Sequence, residues 1–229
     1  MTIKPDQTRY EIKLVLDQSQ RHHINQWIRL HSLGFTPAYQ PRRVNNIYFD
    51  TFDLDTLNDH ISGISQRRKL RLRWYGESFI FQSAILEVKQ KMNRTGWKDT
   101  QPINRSFDLQ TMTWNKITNL IKNCSGEGFS ELIKESMPVL INSYQREYYK
   151  TSFDDEIRVS VDTKISSYLQ KNNYRPNLQF TLPDWGIVIL EVKCPMEKSD
   201  QIPNLLGELP SRPVAFSKYN QAMEYAYYL

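Results

Sequence analysis

Cysteine is scarce in this chain, long apolar runs are missing, and positive charge is nearly matched by negative. The two cysteines, Cys124 and Cys194, lie far apart, and neither has a His or Cys beside it. That spacing argues against a disulfide framework and leaves free structural thiols, as in a reducing compartment. The opening residues, Met1-Thr2-Ile3-Lys4-Pro5-Asp6, contain no apolar h-region, so no signal peptide is expected. No window approaches the length of a membrane span, and the expectation is a soluble, cytoplasmic protein. Thirty Lys plus Arg against 25 Asp plus Glu leave a formal net charge of +5. A non-specific nucleic-acid binder shows a larger excess or a contiguous basic run, so nucleic acid is not an expected partner. There is no low-complexity stretch or flexible linker, and 229 residues suffice for one sizeable core in one domain over 1–229. The four histidines, His22, His23, His31 and His60, fall in helical or loop segments and read as surface residues.

What is present is alternation. Lys69-Leu70-Arg71-Leu72-Arg73 and two copies of Leu-Glu-Val-Lys, at 86–89 and 190–193, alternate charged with apolar residues. A β-strand sends successive side chains to opposite faces, so each segment carries charge on one side and apolar groups on the other. The apolar faces read Leu70, Leu72, Trp74; Leu86, Val88; and Val188, Leu190, Val192. The charged faces read Lys69, Arg71, Arg73, Tyr75; Glu87, Lys89, Lys91; and Glu191, Lys193. The same pattern recurs at Arg9/Glu11/Lys13, Tyr144/Arg146 and Arg158/Asp162. Lys and Glu are depleted in ordinary strands, so their regular recurrence points to a charged surface gathered for binding a polyanion with a metal.

Strands are expected over 9–16, 42–50, 67–75, 79–91, 139–152 and 156–163, with a further pair at 178–182 and 186–194. Gly76-Glu77-Ser78 reads as a hairpin turn, and Asp154-Asp155 and Arg94-Thr95-Gly96 as further turns. Helices are expected over 19–33, 53–61 and 220–229, with a helical insert at about 105–136 where Trp114, Ile117, Leu120 and Ile121 take helical spacing. A flat sheet with its charged side in water accounts for any one strand. Recurrence across strands favours an α+β fold in which a closed antiparallel β-barrel forms a tunnel with a charged interior, helices packed outside.

The runs Arg9-Tyr10-Glu11-Ile12-Lys13, Lys69 to Gly76, Glu87-Val88-Lys89, Tyr144-Gln145-Arg146, Val159 to Thr163, Leu190 to Lys193 and Phe216-Ser217-Lys218-Tyr219 occur in this order. Together they resemble the VTC domain, the polyphosphate polymerase module of the vacuolar transporter chaperone complex. That domain belongs to the triphosphate tunnel metalloenzymes, relatives of the CYTH proteins. The resemblance implies a tunnel that binds triphosphate or polyphosphate through basic residues and holds Mn2+ or Mg2+ on glutamates. By motif, Lys13, Arg71, Arg73, Lys89, Lys98, Arg146, Lys193 and Lys218 bind phosphate, Tyr144 and Ser217 add hydroxyls, and Arg71, Arg73, Lys89, Arg146 and Lys218 carry catalysis. Glu191 is the implied metal ligand, with Glu11, Glu87 and Asp162 in support. Two departures stand out: Arg9 replaces the first Glu of the Glu-x-Glu-x-Lys strand usual in CYTH relatives, and Ala215 occupies a position that is often basic.

The implied reaction is transfer of the γ-phosphoryl of ATP to a growing polyphosphate chain. Inorganic triphosphatase activity, with water as acceptor, is the sister reading. A non-catalytic polyphosphate or inositol-phosphate binding module is the alternative of another class. A membrane partner protein is compatible with the resemblance. Phosphoryl transfer asks mainly for charge neutralisation and in-line positioning, and inward carboxylates give a pure anion binder nothing. The competing structural account is ion pairing: Arg71 and Arg73 against Glu87, and Lys89 and Lys193 against neighbouring glutamates. Trp74, Trp97 and Trp185 read as core or rim packing.

Overall fold

The computed structural model describes residues 9–92, 95–153 and 156–228. Of the turn expected at Arg94-Thr95-Gly96, Arg94 lies outside what is described and Thr95 and Gly96 open a strand; Asp154-Asp155 and the side chain of Arg9 also lie outside it. Alternating segments form β1 (Arg9–Asp17), β2 (Phe35–Asp50), β3 (Gln66–Tyr75), β4 (Ile80–Phe81), β5 (Ala84–Met92), β6 (Thr95–Ile103), β7 (Phe107–Asp108), β8 (Met137–Thr151), β9 (Arg158–Leu169) and β10 (Ile187–Pro195). The helices are α1 (Arg21–Leu30), α2 (Asp55–Ile61), α3 (Trp114–Cys124), α4 (Glu127–Lys134), α5 (Ile202–Leu206) and α6 (Lys218–Tyr228). Eight strands make one antiparallel sheet in the order β1-β10-β9-β8-β2-β3-β5-β6, and β4 and β7 pair separately.

The apolar face of this sheet is covered in two halves. On β1, β9 and β10, Leu14, Leu16, Val159, Val161, Val188, Leu190 and Val192 meet Ile24, Trp27 and Ile28 of α1 and Ile202, Leu205 and Leu206 of α5. The Trp27 indole N–H donates to the Leu205 carbonyl at 3.1 Å, which ties the two helices together. On β2, β3 and β5, Ile47, Leu70, Leu72, Trp74, Leu86 and Val88 meet Trp114, Ile117, Ile121 and Ile133 of α3 and α4. Each such side chain stabilises the fold by about 1.5–3 kcal/mol on burial, so the apolar half of the alternation fixes which way the charged half points. Thr113 caps α3 by accepting the Lys116 N–H at 3.3 Å.

The sheet is curled but not closed, contrary to the expected barrel. β1 and β6 are its two edges, with no ladder between them among the described residues. The outer edge of β1 is engaged elsewhere: the Lys13 carbonyl accepts the Val214 N–H at 2.9 Å, and the Val15 carbonyl accepts the Ser211 hydroxyl at 3.1 Å. A strand whose carbonyls serve this returning segment cannot give them to β6. Curling still brings the ends of the sheet together, because Lys89 on β5 reaches Glu11 on β1 at 3.6 Å. A second correction concerns the helices. The first turn of α6 lies against the charged face, where Lys218 pairs with Asp162 and Ser217 meets Lys69.

Two strand boundaries also differ. Residues 178–182 form no strand, and the alternating segment 79–91 is split into β4 and β5. The expected hairpin at Gly76 is therefore a longer excursion that carries β4 to its partner β7. Among the described residues no helix is long and apolar enough to cross a membrane.

Candidate active site

Three carboxylate centres organise the charged face. Glu87 on β5, 3% exposed, accepts the Arg71 Nε–H at 2.6 Å and the Lys98 ammonium at 3.1 Å, with Arg73 at 3.7 Å. Burial alone would raise its pKa, but Arg71, then Arg73 and Lys98, outweigh burial and hold it at about 2. Asp162 on β9, 1% exposed, takes a bidentate fork from Arg146, with Nε at 2.5 Å and Nη2 at 2.7 Å, and also the Lys218 ammonium. Burial opposes its ionisation, and Arg146 and Lys218 reverse that and depress its pKa.

The third centre pairs Glu11 on β1 with Glu191 on β10. Lys13 lies 2.7 Å from Glu11 and 3.7 Å from Glu191, while Lys193 lies 3.5 Å from Glu11 and 2.7 Å from Glu191. The ladder register explains the square, since Lys13 is opposite Glu191 and Glu11 is opposite Lys193. Burial and the neighbouring Glu191 push Glu11 up, but Lys13, Lys193 and Lys89 bring it to about 2. Glu191 is held well below the usual carboxylate range by Lys193, Arg146 and Lys13 against the effect of burial. Among the described residues no three His, Cys, Asp or Glu side chains converge on one point. The Glu11–Glu191 pair nevertheless fits a Mg2+-type ion, which is held by one or two carboxylates and completed by substrate phosphates and water.

One basic residue differs from the rest. Lys69 has no carboxylate partner among the described residues, and donates to Ser217 Oγ at 2.9 Å and Asn220 Oδ1 at 2.5 Å. Burial first, and then Lys13, Lys89, Arg67 and Arg71, push its pKa down to about 7. Two buried amide groups on the same face are also half-used. Asn46 accepts the Arg73 Nε–H at 2.9 Å and Asn220 accepts Lys69, yet neither NH2 group has a hydrogen-bond partner. A buried donor without an acceptor is costly, so both are poised for an incoming acceptor.

The structure thus brings together every expected side chain: Lys13, Arg71, Arg73, Lys89, Lys98, Arg146, Lys193 and Lys218 with Glu11, Glu87, Asp162 and Glu191. With Lys69, nine basic side chains face four carboxylates, an excess of five. Tyr144 is 3% exposed, and its ring lies under Arg146 at 5.2 Å and Lys218 at 4.3 Å. Ser217 is committed to Lys69. Arg158 and Lys91, expected on this face, are exposed at its margins.

The sequence pattern contained Lys69 but assigned it no role, and it left out Asn46 and Asn220. Asn46 stands directly opposite Arg73 in the β2–β3 ladder, a placement no local pattern reveals. His60 is not remote either: it lies 2.9 Å from Arg67, and burial, then Lys69 and Arg67, lowers its pKa. A surface hollow of about 770 Å3 lies beside α3 around Asp108, Asn115 and Lys116, and shares no residue with the charged face.

The family model of the VTC domain matches residues 8–227. Subunit 4 of the vacuolar transporter chaperone complex of Schizosaccharomyces pombe is 22% identical over 238 residues, covering 83% of this chain. The chain spans about a third of the length of that relative, 33%. Among solved structures, a putative adenylate cyclase from Bacillus halodurans is similar with a TM-score of 0.56 and 14% identity, covering 94% of this chain and 96% of that one. A putative adenylyl cyclase from Hippeastrum, described as having a dominant triphosphatase activity, has a TM-score of 0.54 and 14% identity, covering 95% and 96%. At these identities the two structures speak for the fold alone.

Proposed function

This chain belongs to the VTC domain family, and on that premise we propose that it transfers the γ-phosphoryl of ATP to a growing inorganic polyphosphate chain, with Mn2+ or Mg2+ as cofactor. The observation that carries the proposal is the convergence of nine basic side chains on four carboxylates, three of them buried, on one face of the curled sheet. A triphosphate carries about four negative charges near neutral pH, comparable to that face's excess of four to five as Lys69 titrates, and its transfer needs neutralisation and alignment more than covalent chemistry.

Arg71, Arg73 and Arg146 present planar forks to phosphate oxygens, and Lys89, Lys193 and Lys218 act as point charges between them. Asn46 and Asn220 offer their free N–H groups to the same oxygens. Glu87 and Asp162 hold the guanidinium groups in place before the ligand arrives, so less ordering is required at the moment of reaction. Glu191, with Glu11, would hold the divalent ion. When bound, that ion supplies Lewis-acid polarisation of the phosphoryl group. The acceptor phosphate of the polymer would lie against the Lys13/Lys89/Lys193 side, whose three cations outnumber Glu11 and Glu191 and so attract anions.

Purified protein incubated with ATP and Mn2+, followed by separation of ADP, orthophosphate and polymer, tests the reading. Polymer with stoichiometric ADP is the expected result. Orthophosphate without polymer would instead establish the triphosphatase, and tight polyphosphate binding without turnover the binding module.

A further inference from the structure

Beyond the phosphate grip, β2, β3 and β8 carry a cluster that this function does not use. The Arg42 guanidinium lies over the ring of Tyr75 at 4.0 Å, over Tyr148 at 5.0 Å and near Tyr39 at 5.7 Å. Its Nε–H also donates to the Tyr148 hydroxyl at 3.2 Å. Arg42 stands opposite Arg146 in the β2–β8 ladder, and Tyr75 stands opposite Val44 in the β2–β3 ladder. Because side chains alternate, Arg42, Tyr75 and Tyr148 share the face of Arg73 and Arg146, two residues along their strands. The cluster therefore continues the charged face to its rim.

It is also open to solvent, with Tyr75 38% and Tyr39 63% exposed. Exposed tyrosines gain little by burial, and an exposed cation–π contact is weak, so packing alone accounts poorly for four planar groups gathered here. Phenol and guanidinium faces are the surfaces on which nucleobases stack.

We propose that Arg42, Tyr75 and Tyr148, with Tyr39 at the margin, form the subsite for the base of a nucleoside triphosphate whose phosphates lie along Arg73 and Arg146. This rests on the phosphoryl-transfer reading of the same face. The subsite offers planes rather than a matched set of donors and acceptors, so it takes purines by area and does not separate adenine from guanine. It also gives ATP an anchor that tripolyphosphate and the polymer lack, which distinguishes the donor from the acceptor at one face.

Calorimetric titration of the full chain with ATP, GTP, CTP and tripolyphosphate, in wild type and in Tyr75→Leu, tests this, with Tyr148→Leu as a second variant. Wild type should bind ATP and GTP alike and CTP more weakly. Tyr75→Leu should weaken both purine nucleotides about five- to tenfold, the lower part of the range for one stacked base, and change tripolyphosphate affinity less than about twofold. Equal losses for ATP and tripolyphosphate would overturn the subsite, since the ring would then merely support Arg42 for phosphate. Unchanged ATP affinity in both variants would overturn it too. A wild type that binds neither ATP nor tripolyphosphate would overturn the phosphoryl-transfer reading along with it.

Discussion

Lys69→Met isolates the electrostatic cost of the charged face, because Lys69 is the one of the nine clustered basic residues without a carboxylate partner among the described residues. Its folded pKa is about 7 against an ordinary 10.5. Below about pH 7 the lysine is charged both folded and unfolded, so the penalty of burying it among Lys13, Lys89, Arg67 and Arg71 is fully present. Between 7 and 10.5 the unfolded chain holds a proton that the folded chain has released, and stability therefore rises with pH. Each pH unit in that window is worth about 1.4 kcal/mol, so wild type should gain about 3 kcal/mol on Lys69→Met between pH 7.5 and 9.5. The lost bonds to Ser217 and Asn220 shift the variant by a constant amount and cancel from this comparison. His60, which Lys69 also influences, titrates below the window, and Glu11 and Glu87 titrate far below it.

Urea unfolding of both proteins at several pH values reads the effect directly. Stability curves that run parallel across the window would refute the reasoning, because Lys69 would then be charged throughout. The same argument has a binding arm. A bound polyanion favours the charged lysine, so tripolyphosphate binding to wild type at pH 8.5 should take up as much as about one proton, and binding to Lys69→Met should take up correspondingly less. Calorimetry in buffers of different ionisation enthalpy measures that difference.

Three further outcomes follow from the carboxylate centres. Glu87→Gln removes a buried charge held at about 2 by Arg71, Arg73 and Lys98. Wild type should lose that group's stabilisation as pH falls from 4.5 toward 2, while the variant, already weaker by about 3 kcal/mol at pH 7, should show a flatter acid limb in the same unfolding assay. Glu191→Gln should abolish metal-dependent turnover and weaken Mn2+ binding, yet leave tripolyphosphate affinity intact or tighter; activity within a few-fold of wild type would remove Glu191 from the metal site. Arg73→Ala should lose phosphate affinity together with activity, at least about tenfold for a charge-assisted contact, and unchanged calorimetric affinity would place the phosphate elsewhere.

Where strand and side-chain alternation coincide, the architecture was legible. β1, β3, β5 and β10 each put Leu or Val on the helix-covered side and Glu, Lys or Arg on the other. β6 was not legible, because Thr95–Ile103 contains Gly96 and Pro102 and takes its strand form from pairing with β5, Lys98 against Lys89. The start of β2 was hidden by Pro37 and Pro41, which the ladder tolerates near its register shifts. Leu178, Phe180 and Leu182 alternate convincingly, but Asn177 Oδ1 accepts the N–H groups of Gln179 and Phe180 and turns the chain, leaving Phe180 78% exposed. In the candidate site, residue type was readable and partnership was not. Nothing near Lys69 shows that its partners are Ser217 and Asn220, 148 and 151 residues away. Closure failed for the same reason: whether β1 meets β6 depends on the returning residues Ser211 and Val214, which carry no strand pattern.

The charged face also holds the C-terminal helix in place, and this governs how any substitution there must be interpreted. Lys218 anchors α6 to Asp162, Lys69 anchors it through Ser217 and Asn220, and the Lys13 ammonium donates to the Phe216 carbonyl at 3.3 Å. The Tyr219 hydroxyl, bonded to Asp50, is a polar tether that uses none of the nine basic groups, and Ala222 and Met223 pack against Leu57 and Leu140. Replacing Lys218 or Lys69 by alanine therefore removes a cation and loosens α6 at once, and a loss of phosphate affinity could come from either. Asp162 is the extreme case. It is 1% exposed and serves both Arg146 and Lys218, so Asp162→Ala would leave two cations facing one another without a counter-charge. Asp162→Asn keeps the shape and one acceptor, and Tyr219→Phe removes one tether of α6 while every charge stays in place. If Tyr219→Phe reproduced the phosphate-binding defect of Lys218→Ala, docking of α6 rather than the Lys218 charge would be what the ligand requires; if only Lys218→Ala lost affinity, the charge itself would be the contact.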